Sequence, residues 1–189
     1  MQKAFAFAAA AALLVALPAA GFAQSAPANR MPSATASGGG AASAAGKDFL
    51  NDAIQGDAAE IKMGQLAEKN GGSAEVKEFG RTLVTDHTKA ADQVKATAKE
   101  VGATVKEEPN SEQKADYDKL AKLKGADFDK EFASHMVDDH QKDIAKFQKE
   151  ADAKDGPVST LAQQQLPTLK KHLQMAQELQ NKQQASAPK

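Results

Sequence analysis

Two histidines lie in segments that match each other along the chain. Residues 79–89 read FGRTLVTDHTK and residues 132–142 read FASHMVDDHQK, so both contain a phenylalanine, a valine, an Asp-His pair and a lysine at one fixed offset. His87 and His140 each occupy a position of an apolar helical stripe where a leucine is typical. The repeated segment therefore indicates a place for chemistry or for a buried polar network.

Two further polar residues are expected at the same depth. Glu60 lies at the edge of the buried face of the first predicted helix, and His172 lies on the apolar face of the last. Each of the four residues is about 13–15 residues from its helix start, which is roughly 20 Å along the axis. Because mid-helix residues meet at one level in a bundle, the sequence predicts a central cluster of Glu60, His87, His140 and His172.

Three interpretations of this cluster follow from its residue types. The first is a metal-free polar network that fixes helix register. The second is a site for one transition-metal ion, since three histidines and one glutamate suit zinc, iron or manganese. The third is a copper(I) site, since thioether ligands suit that ion and Met63, Met136 and Met175 lie three or four residues from cluster positions. Asp86 and Asp139 point about 100° away from the apolar stripes and are predicted to be surface residues.

Composition excludes several classes of protein. The 24 basic and 25 acidic side chains are interspersed, so no basic face and no nucleic-acid partner are expected. The chain has no cysteine, which excludes disulfides, thiolate metal sites and cysteine nucleophiles. No nucleophile-elbow pattern and no glycine-rich phosphate loop are present, so the sequence does not favour an enzyme.

Apolar periodicity predicts an all-α fold with four long helices. They are expected to start at Asp48, after Ser73, near Asp127 and at Pro157, with a short helix after Pro109. Roughly 25 residues separate the second and third long helices, which is too long for a hairpin connection and predicts a crossover along the bundle.

Helix-start signals support these positions. Ser73 and Asp127 are predicted N-caps, and Asn110 with Gln113 has the spacing of a capping box. Pro157 suits the first helical position.

The N-terminal region is predicted to be an export signal. Residues 1–23 combine Lys3, an apolar run from Ala4 to Ala20, and small residues at the cleavage position. A transmembrane anchor is the alternative, but the run contains Pro18 and is short for a span. The predicted organisation is a signal peptide at 1–23, a disordered linker at 24–46, a bundle at 47–182 and a flexible tail at 183–189. The mature chain is expected to be periplasmic or otherwise exported, without a membrane span, and to be a monomer or weak homodimer.

Four segments carry a resemblance to a known bacterial family: Glu60-Ile61, the V-x-D-H of residues 84–87, FDKEFASHMVDDH at 128–140 and LPTLKKHL at 166–173. They resemble domain-of-unknown-function family 4142, whose members are described as exported or membrane proteins. The resemblance covers about residues 47–180 and implies a ferritin-like four-helix bundle with a crossover and no established activity. Ferritin-like di-metal proteins carry Glu-x-x-His motifs, but here Val84, Val137 and Leu169 stand three residues before the histidines. The resemblance therefore implies a histidine-rich, mononuclear site.

The sequence leads to two functional hypotheses. The first is an exported metal-binding or redox-protective protein of the cell envelope. The second is a non-enzymatic structural or stress-related bundle with a metal-free polar network.

Overall fold

Residues 41–185 fold into helices and contain no strand, as the sequence predicts. A computed structural model describes residues 41–185, and within that range there is no strand, only an isolated parallel bridge between Gly71 and Gly125. The helices are α1 (Ala44–Asn70), α2 (Ala74–Glu100), α3 (Ser111–Leu120), α4 (Gly125–Asp152) and α5 (Pro157–Ala185). The predicted signal peptide, the linker up to residue 40 and the last four residues lie outside the described range.

The four long helices pack side by side as a closed ring. α1 packs along α2 and α4 along α5, while α2 meets α5 and α1 meets α4. α1 and α2 approach so closely that a Cβ on Gly64 would lie 2.5 Å from the Gly80 carbonyl oxygen. Short turns at residues 71–73 and 153–156 make each of these two pairs an antiparallel hairpin.

The connection between α2 and α4 runs the length of the bundle along α1. Near the start of α1, the Lys106 amide donates a hydrogen bond to Asn51 Oδ1 over 3.1 Å. At the end of α1, Asn70 Nδ2 donates to the Leu123 carbonyl over 2.9 Å. The connection carries α3 and delivers the chain to the end of the bundle where α4 begins, as its length predicts.

Most of the predicted helix starts are confirmed. Ser73 Oγ accepts a hydrogen bond from the Val76 amide, and Asn110 and Gln113 form a reciprocal capping box. α5 starts at Pro157.

The starts of α1 and α4 differ from the prediction. α1 begins at Ala44, four residues before Asp48, because Ser43 Oγ accepts from the Gly46 amide and donates to Asp155 Oδ2 over 2.7 Å. α4 begins at Gly125. Its N-cap residue is Lys124, whose side chain makes no capping hydrogen bond, so the prediction of Asp127 as N-cap is wrong. The composition of the alanine-rich segment before Asp48 predicts a linker. Alanine is nevertheless the best helix former once a cap and a tertiary contact are present.

The core consists of two apolar clusters with a polar layer between them. One cluster surrounds Leu50, Val94 and Phe147, and the other surrounds Leu83 and Phe132. Between them the long helices contribute buried polar residues: Asp57, Glu60, His87, His140 and His172. The predicted common depth of the four cluster residues is therefore observed, and the layer is where the candidate site lies.

Candidate metal centre

Three histidines meet in the polar layer. His87 comes from α2, His140 from α4 and His172 from α5, and their exposed fractions are 5%, 1% and 0%. Their ring centroids lie 6.0 Å (87–140), 5.3 Å (87–172) and 5.4 Å (140–172) apart. One ring nitrogen of each lies within 4.8 Å of one ring nitrogen of both others. The apolar stripes of three different helices thus bring together the histidines that the sequence singled out.

Each histidine ring is held by one hydrogen bond through one of its two nitrogens. His87 Nδ1 bonds to Asp57 Oδ1 at 2.8 Å, and His172 Nε2 bonds to Asp86 Oδ2 at 2.9 Å. His140 Nδ1 donates to the Met136 carbonyl oxygen at 3.0 Å. Because a carbonyl only accepts, the proton of a neutral His140 resides on Nδ1. With ionised aspartates, His87 and His172 likewise donate from their bonded nitrogens.

The second nitrogen of each ring has no partner. His87 Nε2, His140 Nε2 and His172 Nδ1 are buried without a hydrogen bond to any described residue. In the tautomers fixed by the bonded nitrogens, these three atoms carry lone pairs. A buried polar atom without a partner costs about 1–3 kcal/mol, so a ligand that accepts lone pairs would stabilise this layer.

Burial keeps the three histidines neutral. Loss of solvation lowers the pKa of His87 to about 4, against the opposing charges of Asp139 and Asp86. Burial, followed by the neighbouring rings of His87 and His172, lowers the pKa of His140 to about 3. Burial also lowers the pKa of His172, although its hydrogen bond to Asp86 opposes the shift. The lone pairs are therefore available at neutral pH without proton competition.

Glu60 lies beside His140, near its Nδ1 atom. Its Oε1 is 3.9 Å from His140 Nδ1, the nitrogen that already donates to Met136. Glu60 is not part of the set of three nitrogens that lie within 4.8 Å of one another. It faces Asp139, which together with burial raises the pKa of Glu60. The structure thus places the four predicted residues in one layer, and the role of Glu60 as a ligand stays a prediction.

Further carboxyl groups complete the layer. Burial raises the pKa of Asp57. Burial, and then the charge of Asp139, raise the pKa of Asp143 to about 7, with Lys146 opposing the shift. No lysine or arginine is among the buried residues of the described part of the chain. The layer is thus rich in carboxyl oxygens and lone pairs, which suits a cation rather than an anion.

Comparison with known proteins identifies the family. A family model described as "Domain of unknown function (DUF4142)" matches residues 31–179. The chain belongs to the DUF4142 family. No curated protein matches it.

One solved structure shares the fold of this DUF4142 chain. It is the crystal structure of a DUF305 fragment from Deinococcus radiodurans, with a TM-score of 0.66 and 17% sequence identity. The match covers 75% of this chain and 98% of that one. At this identity the likeness shows a common helical fold. Within residues 41–185 no helix of the DUF4142 chain is long and apolar enough to cross a membrane.

The sequence missed or misplaced three aspartates. Asp86 and Asp139 were predicted at the surface, but Asp86 bonds to His172 with a side chain only 34% exposed, and Asp139 faces Glu60. Asp57 was not singled out, although it continues the α1 spacing of Leu50 and Ile54 at a stripe position. That spacing was a usable signal for a buried acid.

The three methionines within residues 41–185 of the DUF4142 chain pack in or against the core. Met63 and Met136 are buried in the apolar cluster around Phe132, and Met175 packs against it partly buried. Copper(I) binding through these thioethers stays an untested alternative.

Proposed function

We propose that this DUF4142 protein is an exported, ferritin-like helical bundle that binds one transition-metal ion through His87, His140 and His172. The observation that carries the proposal is the set of three buried ring nitrogens without partners, each on a histidine whose other nitrogen is hydrogen-bonded. A histidine that binds a metal through one ring nitrogen typically donates a hydrogen bond from the other nitrogen. That hydrogen bond fixes the tautomer and the orientation of the ring.

The geometry supports a small cation. Zinc–nitrogen bonds of about 2.0–2.1 Å in a tetrahedral site place ligand nitrogens about 3.3 Å apart. One ring nitrogen of each histidine now lies within 4.8 Å of one ring nitrogen of both others, so such a set would have to close by about 1.5 Å at most. Imidazole ligands suit zinc, iron and copper, and the surrounding carboxylates extend the choice to manganese. Three protein nitrogens leave a fourth position for Glu60, after a side-chain rotation, or for water.

A cell-envelope role is the second element of the proposal. The signal-like sequence of residues 1–23 supports export, and purification of the exported protein tests it: the mature chain should begin at Gln24 by mass spectrometry. Retention of residues 1–23 would contradict cleavage. The ring of four long helices with one crossover connection supports the ferritin-like comparison.

A direct titration tests metal binding. Metal-free protein titrated with Zn²⁺ should bind about one ion per chain, whereas His140→Leu should lose the tight site. This variant is chosen because the hydrogen bond of His140 goes to a helix carbonyl, whereas those of His87 and His172 go to aspartates. Equal zinc binding by the wild type and the variant would refute the site.

The metal-free network remains a second candidate because every histidine already has one hydrogen-bond partner. On that account the protein is a structural bundle, and His140→Leu should be as stable as the wild type or more so, since apolar replacements often match buried polar groups. Metal added to the wild type should then leave its unfolding unchanged.

A further inference from the structure

A cavity of about 140 Å³ adjoins the histidine layer. Its inner wall includes the buried Asp57 and His87, and its outer wall includes the exposed Lys89, Lys146 and Gln164. It therefore runs from solvent to one of the three histidines. Its volume holds several water molecules, which is room for a cation that keeps part of its hydration shell.

The cavity exists because small residues line it. Ala53 and Gly56 of α1 and Ala90 of α2 leave the space between the helices unfilled. At Gly56 a Cβ would meet only Asp143 Oδ2, at 3.8 Å. A larger side chain at this position would project toward the opposite wall of the cavity.

The lining is more acidic than basic. Four aspartates line the cavity against two lysines: Asp52, Asp57, Asp86 and Asp143, with Lys89 and Lys146. Lys146 Nζ is 3.7 Å from Asp143 Oδ1, but its side chain is 57% exposed and so is well screened by solvent. Asp57 Oδ2 is buried and has no hydrogen-bond partner. A buried carboxyl oxygen without a partner, on the wall of a cavity that is open to solvent, points to a positively charged ligand.

We infer that this cavity is the entrance to the histidine site and a transit site for a divalent cation, held first by Asp57 and Asp143 and then passed to His87. The inference rests on the proposed metal binding and adds the path and the residues that serve it. His140 and His172 do not line the cavity, and the two apolar clusters cover the layer on either side. An incoming ion thus meets His87 before the other two ligands.

A graded filling of the cavity tests the path. Gly56→Leu places a branched side chain in the opening, while Gly56→Ala adds one carbon at ordinary contact distance and is the matched control. Both replacements raise helix propensity, so folding should persist, which circular dichroism verifies. Ala90→Leu narrows the same opening from α2 and serves as the second filling variant.

The readout is the rate of Co²⁺ uptake by the metal-free protein, followed by ligand-field absorption. We expect Gly56→Leu to slow uptake at least tenfold and to slow extraction by EDTA by the same factor, with the final stoichiometry unchanged. A barrier on the path affects both directions equally. Gly56→Ala should keep the wild-type rate. Asp143→Asn should slow uptake severalfold, and added salt should reduce that difference.

A second readout needs no metal. Diethyl pyrocarbonate acylates neutral imidazole nitrogens, and mass spectrometry locates the modified histidine. His87 of the metal-free wild type should react faster than His140 and His172, and Gly56→Leu should suppress that reaction.

The two readouts separate the possible failures. If Co²⁺ binds but its uptake and the acylation of His87 are unaffected by both filling variants, the entrance is refuted while metal binding stands. If the wild type takes up no Co²⁺, metal binding and cation transit are both refuted, whatever the acylation shows. Slower uptake in Gly56→Leu with a weaker equilibrium affinity would also overturn the inference, because it would show damage to the site itself.

Discussion

The arrangement of hydrogen bonds around three imidazole rings defines the candidate site. Each ring is fixed by one partner, and each leaves a lone pair in the buried layer. Asp86 and Asp139, the aspartates of the duplicated Asp-His pairs, do not hydrogen-bond to their own neighbouring histidines. Asp86 supports His172 from another helix, and Asp139 faces Glu60. The duplicated motif thus supplies a buried histidine and a nearby carboxyl group in each copy.

Metal binding should resist acid. Three imidazoles with ordinary pKa values near 6.5 would weaken zinc binding about a thousandfold between pH 7.5 and pH 5.5, because each must lose a proton. Burial lowers the pKa of His87 to about 4 and that of His140 to about 3, and it lowers that of His172. Since a lowered pKa removes proton competition in this interval, we expect the affinity to change at most about tenfold. Titrations against a competing chelator at both pH values measure it, and a thousandfold loss would refute neutral, buried ligands.

Asp86 should tune affinity without touching the metal. Asp86→Ala removes the acceptor of His172 Nε2, so the ring loses its fixed orientation and basicity. Changes of this kind typically cost 10–100-fold in metal affinity. Asp138→Ala, at an exposed position of α4, is the matched control and should bind zinc as the wild type does. Equal affinities for the two variants would show that Asp86 is only a surface residue.

The sequence predicts the histidines better than their supports. His87, His140 and His172 are visible because each interrupts an apolar stripe within its own helix. Asp86 lies off the stripe of α2, and its partner is 86 residues away. Which neighbouring helix such a residue faces depends on the order of helices in the bundle, which local periodicity does not contain.

At the scale of the helices, termini are set by contacts from elsewhere in the chain as much as by local signals. Asp129 of α4 accepts hydrogen bonds from the Gly72 and Ser73 amides, each at 2.8 Å, at the start of α2. The preference of N-cap positions for serine and aspartate correctly assigns Ser73 to α2 but wrongly assigns Asp127 to α4. Asp129, two residues after Asp127, instead accepts hydrogen bonds from the start of α2.

Asp129→Ala should therefore destabilise the protein more than Asp127→Ala. The first change leaves two part-buried amides without an acceptor, and each unsatisfied buried donor costs about 1–3 kcal/mol. Asp127 is exposed and caps no helix, so its replacement should stay within about 0.5 kcal/mol. Urea unfolding of the metal-free variants measures both. A larger loss for Asp127→Ala would mean that local capping, and not the contact between α4 and α2, sets this end of the bundle.

At the scale of the whole molecule, the polar layer divides the hydrophobic core in two. Four long helices and a crossover are predictable because periodicity, caps and connection length agree. The start of the folded part is less predictable from the sequence, because α1 begins within an alanine-rich stretch and depends on the Ser43–Asp155 contact. A core interrupted at mid-height gives up apolar contacts in that layer, and a bound ion joining α2, α4 and α5 would offset the loss.

Metal should accordingly stabilise the whole bundle. A ligand present at about 100 times its Kd adds about 2.7 kcal/mol to the free energy of unfolding, which corresponds to roughly 5–10 °C in Tm for a domain of this size. Calorimetry with zinc and then with excess EDTA measures the shift and its reversal. His140→Leu should show no zinc-dependent shift. An identical shift in that variant would place the stabilising ion elsewhere.

The most direct test is the metal content of the protein taken from its native compartment. Wild type and His87→Ala/His140→Ala are purified without chelator or added metal and are analysed by mass spectrometry of the elements, beside circular dichroism to confirm folding. We predict about one transition-metal ion per wild-type chain and its loss from the double variant. A folded His140→Leu chain that also lacks metal would exclude unfolding as the cause. Substoichiometric metal in the wild type, unchanged by the substitutions, would contradict the account.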